Sequence, residues 1–91
     1  MPSPVRDNPA RNRFELEAEG HTAVAYYRVT PGLITFTHTE VEPALRSRGI
    51  GSALVHGALE AARERGLRVT ARCPFVSAYI GRHPEFADLV L

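Results

Sequence analysis

The segment Arg46-Ser47-Arg48-Gly49-Ile50-Gly51-Ser52 decides the reading of the chain. It stands between a β-type run and a helical run. Upstream, Leu33 to Val41 is Leu-Ile-Thr-Phe-Thr-His-Thr-Glu-Val, rich in β-branched and aromatic residues, and Pro43 ends it. Downstream, from about Ser47 to Arg65, the period becomes helical. Ser52, His56, Glu60 and Glu64 recur by fours as a polar stripe. Ile50, Ala53, Leu54, Gly57, Ala58 and Ala61 fill the other side. The first amides of such a helix lack intrahelical partners, and its dipole favours negative charge there. Gly49 and Gly51 remove side chains that would keep an anion away. Arg46 and Arg48 add guanidinium donors that suit phosphate oxygens. A strand, a glycine-rich turn and a helix N-terminus make a candidate pyrophosphate cradle. It is neither a Gly-Lys-Ser/Thr phosphate loop nor a Gly-x-Gly-x-x-Gly dinucleotide fingerprint. A glycine-assisted turn with solvated arginines is the plainer alternative.

Further upstream, Phe14, Leu16 and Ala18 alternate with Glu15, Glu17 and Glu19, the pattern of a half-solvated strand. Glu19-Gly20-His21 and Thr30-Pro31-Gly32 read as tight turns around a second strand, Thr22 to Val29. Beyond the helix, Gly66 is the expected stop. Leu67, Val69, Ala71 and Cys73 then alternate with Arg68, Thr70 and Arg72 as a fourth strand. Pro74 ends it, and Phe75 to Arg82 can form a second helix before His83-Pro84. Phe86 to Leu91 is apolar enough for a short last strand. The expected order is β-β-β-α-β-α, with a possible final β. This is an α+β fold on a mixed, mainly antiparallel sheet. Residues 1–12, with three prolines and little to bury, read as a flexible leader, and 13–91 as a single domain.

The chain has 91 residues, enough for one modest core. Its 44% hydrophobic and 23% charged content is that of a globular domain. The formal net charge of +1 argues against non-specific nucleic-acid binding as its main task. Arg63, Arg65, Arg68 and Arg72 could form a basic patch, but Glu60 and Glu64 interleave with it and no aromatic platform accompanies it. All eleven basic residues are arginine, so no lysine side chain is available for acylation. One cysteine allows no internal disulfide, and the four histidines form no metal-ligand pattern. Neither a signal peptide nor a ~20-residue apolar span is visible. The expectation is a cytoplasmic protein, a monomer or weak homodimer, with no metal and no nucleic-acid or membrane partner.

Arg46-x-x-Gly49-x-Gly51, after a strand and opening a helix, resembles the Gln/Arg-x-x-Gly-x-Gly/Ala signature of the GNAT superfamily of N-acetyltransferases. More narrowly, the chain resembles its small Yjdj-type branch. The likeness runs from His38-Thr-Glu-Val41 through Leu45 to Leu54 and Ala61 to Leu67. It continues into Cys73-Pro-Phe-Val-Ser-Ala-Tyr-Ile80 and Arg82-His-Pro-Glu-Phe86. It covers roughly residues 14–86. The resemblance implies a compact minimal GNAT-like fold with acetyl-CoA as co-substrate and an amine as acetyl acceptor. It implies that Arg46, Arg48, Gly49, Ile50, Gly51 and Ser52 hold the pyrophosphate of coenzyme A. The pantetheine arm would run along the strand edge near Glu40 and Val41, towards the splayed strand ends where Cys73 lies. The two helices that usually follow the first strand of larger relatives have no room here. The acceptor pocket is therefore expected to be small, open or completed by a partner. Ala71 stands where the branch commonly has proline.

Acetyl transfer to an amine needs a base, oxyanion stabilisation and a proton for the leaving thiolate. Cys73, before a helix N-terminus, is the candidate nucleophile, and packing in the apolar face is its plainer role. Tyr79 matches the tyrosine that protonates the thiolate in many GNAT enzymes. Glu40 and His38, alternating along one strand face, are candidate bases. The alternative to an enzyme is a non-catalytic coenzyme A-binding module acting with a partner.

Overall fold

The computed structural model describes residues 5–46 and 49–91, the Arg46 side chain excepted. Five strands lie side by side in sequence order: β1 (Arg6–Asn8), β2 (Arg13–Ala18), β3 (His21–Thr30), β4 (Leu33–Glu40) and β5 (Arg68–Ala71). β1 to β4 form an antiparallel meander, and β5 pairs with β4 in parallel. The crossover carries a short helix α1 (Pro43–Arg46) and the long α2 (Ile50–Glu64), and α3 (Pro74–Arg82) follows β5. The helix α2 lies against β2 and β3, while α3 lies against β4, β5 and α2. The buried core of Phe14, Leu16, Ile34, Phe36, Leu54, Leu59, Val69, Val76 and Phe86 fills the space between them.

The alternation of Phe14 and Leu16 with glutamates makes β2 as expected, with the apolar pair buried. The buried face of α2 centres on Leu54, Val55, Ala58, Leu59 and Ala62, and Ala53 is exposed rather than inward. Gly66, at φ +69°, ends α2 by adopting the left-handed conformation that side chains disfavour. Its amide donates to Arg63 O at 3.1 Å and that of Leu67 to Ala62 O at 2.9 Å, a Schellman closure.

Three expectations change. First, Arg6–Asn8, inside the stretch read as leader, is an edge strand paired with Arg13 to Glu15. Its composition carries little apolar signal because polar clasps hold it. The Tyr27 hydroxyl donates to Asp7 Oδ1 at 2.5 Å, and Arg65 Nη2 donates to Asp7 Oδ2 at 2.7 Å. Second, a one-turn helix at Pro43–Arg46 intervenes before α2, anchored by Leu45, which is 1% exposed. Third, the expected last strand is a 3-10 helix, Pro84–Leu89, with one bridge between Val69 and Val90. Arg63 holds it to α2 through both oxygens of Asp88 at 2.9 Å and through Glu85 O at 2.7 Å.

One irregularity sets up the site. Tyr27 pairs with Phe36, yet Tyr26 pairs with His38, so Thr37 is an extra residue in β4. Such a bulge reverses the alternation beyond it. Ile34 and Phe36 face the core. After the bulge, Thr39 and Val41 turn to the helix side, where Thr39 meets Cys73 and Val41 packs on the core. His38 and Glu40 are left on the opposite face, with the His38 ring stacked against Tyr26 at 6.2 Å.

Candidate functional site: a cleft between splayed strands

β5 accompanies β4 only as far as the pair Phe36 and Ala71. The amides of Arg72 and Cys73 both donate to Phe36 O, at 2.9 and 3.1 Å, and there the strands part. β4 continues to Glu40, while the other chain turns into α3 with Cys73 as N-cap and Pro74 in the first turn. A cleft of about 380 Å³ opens at this fork. Thr39 and Val41 form one wall and Phe75 and Arg82 of α3 another. Gly49, Gly51 and Ser52, at the start of α2, close one end.

The two glycines serve different ends. Gly49 is the N-cap of α2 at φ +71°, and a Cβ there would meet nothing within 4 Å. Backbone conformation demands glycine at that position. Gly51 has no such torsion, but an added Cβ would stand 2.7 Å from Phe75 Cζ and 3.3 Å from Val41 Cγ2. Here the demand is space. No side chain caps α2, and the Ala53 amide bonds back to Gly49 O at 3.0 Å. The amides of Ile50, Gly51 and Ser52 precede the first rung of the α2 ladder, and a phosphate oxygen suits the partial positive charge of such a first turn. Ile50 is half-buried and packs on the core. The Arg46 side chain and Arg48, expected at this cradle, lie outside the described residues.

Cys73 is 4% exposed and does not line the cleft. Its Sγ lies 3.2 Å from Oγ1 of Thr39, a residue that does line the cleft. Tyr79 is turned away from the fork. It is 3% exposed, with its hydroxyl 3.1 Å from His56 Nδ1 and its ring stacked 3.8 Å from that of His83. Burial, helped by the charges of Glu85 and Glu60, pushes its phenol above the usual tyrosine range. His56 Nε2 in turn lies 3.3 Å from Glu60 Oε1. The pair His38 and Glu40, 3.2 Å apart and well exposed, borders a second depression on the outer sheet face. Thr22, Glu42 and Pro43 complete it, and Thr39 and Val41 line both depressions. The two therefore meet across the end of β4.

The sequence reading brings Val41, Gly49, Gly51 and Ser52 together, and the structure seats them around one cleft. It did not single out Thr39, Phe75 or Arg82. The bulge that turns Thr39 inward has no sequence signature. Phe75 and Arg82 carry one, since they are spaced by seven along a helix and share a face, and Phe75 is a large apolar residue left 40% exposed. Of the four arginines that might form a basic patch, Arg63, Arg65 and Arg68 are engaged with Asp88, Asp7 and the carbonyls of Leu89 and Val90. Among the described residues, no three acidic, histidine or cysteine side chains are grouped to hold a metal, and no helix is long and apolar enough to cross a membrane.

A meander joined by a helical crossover to a parallel strand, with a glycine-opened helix at the fork, is the architecture of a small acyl-transfer domain. The chain belongs to the GCN5-related N-acetyl-transferase family, whose model matches residues 13–89. Protein NATD1 of Gallus gallus and of Mus musculus is 28% identical over 86 residues, spanning 91% of this chain and 78% of the relative. NATD1 of Homo sapiens has the same identity over 76% of its length. The NMR solution structure of a GCN5-like protein from Staphylococcus aureus superposes with a TM-score of 0.74 at 27% identity, covering 99% of this chain and 89% of that one.

Proposed function

We propose that this protein is an acetyl-CoA-dependent N-acetyltransferase. The observation that carries the reading is the cleft at the β4/β5 fork, with the first turn of α2 at one end and Thr39, in contact with Cys73, on its wall. The amides at Gly49 to Ser52, with Arg46 and Arg48, would hold the pyrophosphate. The pantetheine arm would then lie along Val41 and Phe75, bringing the thioester to Thr39. The acceptor amine would approach from the outer depression, where Glu40 and Glu42 suit a cationic amine before it loses its proton. The His38 and Glu40 pair accepts that proton. The amine nitrogen then forms the new C–N bond at the acetyl carbon, the C–S bond breaks, and the coenzyme A thiolate takes up a proton. Cys73 would enter as a covalent relay only if its buried thiol becomes accessible from the cleft. In that case it receives the acetyl group in a thioester exchange and gives it to the amine.

Calorimetric titration with acetyl-CoA tests the cofactor. Saturable binding by the wild type, lost in Ser52→Glu, is expected, because a carboxylate there repels phosphate. A folded wild type that does not bind would refute the reading. Thiol release with a panel of primary amines follows, with Cys73→Ala beside the wild type. The burial of Cys73 favours one second reading, a coenzyme A-binding module without transfer. Tight binding with no thiol release above the rate of uncatalysed hydrolysis, across the panel, would establish it.

A further inference from the structure

We infer that Arg82 of α3 is a second anion anchor of the cleft and pairs with a phosphate of the coenzyme A nucleotide from the wall opposite α2. The inference rests on the cleft being an acetyl-CoA site. Among the described lining residues, Arg82 is the one charged group, facing Thr39, Val41, Phe75 and the glycine turn. It is also uncommitted. Arg6, Arg13, Arg63, Arg65 and Arg68 each hold a carboxylate or a carbonyl oxygen. Arg82 has no hydrogen-bond or ion-pair partner among the described side chains.

Its direction follows from helix geometry. Side chains lean towards the N-terminus of their helix, so a residue in the last turn of α3 reaches back along the face that carries Phe75. Seven residues of α-helix span roughly 10 Å, and an arginine side chain recovers much of that distance. Arg82 is exposed at the cleft wall, and a planar guanidinium binds phosphate oxygens through two donors at once. On the α2 side the helix amides supply partial charges, with Arg46 and Arg48 proposed beside them, and Arg82 adds a charge from the other wall. The pyrophosphate and the 3′-phosphate together carry more negative charge than the α2 side offsets, and a full positive charge on the facing wall adds to the balance.

The experiment is titration of wild type, Arg82→Ala and Arg82→Lys with acetyl-CoA and with 3′-dephospho-coenzyme A, each at about 50 mM and about 500 mM salt. Arg82→Ala is expected to weaken acetyl-CoA binding tenfold or more at low salt, with the gap narrowing at high salt and Arg82→Lys recovering part of it. If the penalty persists with 3′-dephospho-coenzyme A, Arg82 holds the pyrophosphate. If it disappears, Arg82 holds the 3′-phosphate. Arg82→Ala binding within twofold of wild type overturns the inference and leaves the cofactor reading intact. So does a loss that neither responds to salt nor is recovered by lysine, since that marks a packing role. A wild type that binds neither nucleotide overturns both.

Discussion

Replacing Gly51 by alanine separates what the glycine does for the helix from what it does for the cleft. The new methyl would sit 2.7 Å from Phe75 Cζ, 3.3 Å from Phe75 Cε1 and 3.3 Å from Val41 Cγ2. Carbon atoms rest about 3.5–4.0 Å apart, so the ring must retreat by roughly 1 Å. Overpacking of this kind costs about 1–3 kcal/mol, and the low end applies because the ring is 40% exposed and can shift into solvent. Against this, alanine is favoured over glycine within a helix by up to about 1 kcal/mol. The single variant should therefore stand within about 1 kcal/mol of wild type, a shift of at most roughly 4–8 °C in Tm. With Phe75→Ala already present, the 2.7 Å clash is gone and only the milder 3.3 Å contact with Val41 opposes the helical gain, so Gly51→Ala should then be less costly than in the wild type, near neutral or stabilising. Urea unfolding of the four proteins gives the coupling, expected to be about 1–2 kcal/mol. Acetyl-CoA titration of the same set should show Gly51→Ala weakened, because the displaced ring moves within the cleft. A coupling below about 0.3 kcal/mol would refute the argument that Phe75 sets the space at Gly51.

Gly49→Ala should cost about 1–2 kcal/mol through its left-handed torsion, with no relief from Phe75→Ala because the added Cβ meets nothing. Gly49→Asn should cost less, and thermal melts rank the two. Asp7→Ala should destabilise by about 1–2 kcal/mol, since Asp7 joins β1 to Tyr27 and to Arg65 at the end of α2. Faster hydrogen exchange in β1 and β2, with α3 unaffected, would mark it as a local clasp. Burial, and next the hydrogen bond to Asp7, push the Tyr27 phenol up to about 12. The folded protein then keeps a proton that the unfolded chain releases near pH 10, so stability falls as pH rises from about 10 to about 12. The loss attributable to this group is about 2–3 kcal/mol by pH 12. Unfolding followed across that range should be flatter in Tyr27→Phe, and an equally steep decline would contradict the assignment.

Legibility followed the source of each constraint. Where burial dictates the residue pattern, the sequence was readable. Phe14 and Leu16 alternate because one sheet face is covered, and Leu54, Ala58 and Gly66 mark a helix face and its stop. Where polar contacts distant in sequence do the holding, it was not. Nothing in Arg6-Asp7-Asn8 announces a strand, because its partners Glu17, Tyr27 and Arg65 lie 11, 20 and 58 residues away. The C-terminal segment misled for the opposite reason. Its apolar residues suit a strand, but the Arg63 clasp on Asp88 and Glu85 O holds Pro84–Leu89 in a 3-10 helix.

The candidate site shows the same division within one strand. The glycine turn was legible because torsion and close approach both restrict residue choice, at Gly49 and Gly51 respectively. The bulge at Thr37 was not, since threonine suits regular strand as well as bulge. Yet this single extra residue determines which side chains can act together. Without it, His38 and Glu40 would share the face of Ile34 and Phe36, beneath the helices, and Thr39 would point away from Cys73. With it, β4 presents Thr39 and Val41 to the fork cleft and His38 and Glu40 to the outer depression. On the proposed function, thioester and amine would enter from the two sides of this strand end and meet where Thr39 and Val41 border both depressions.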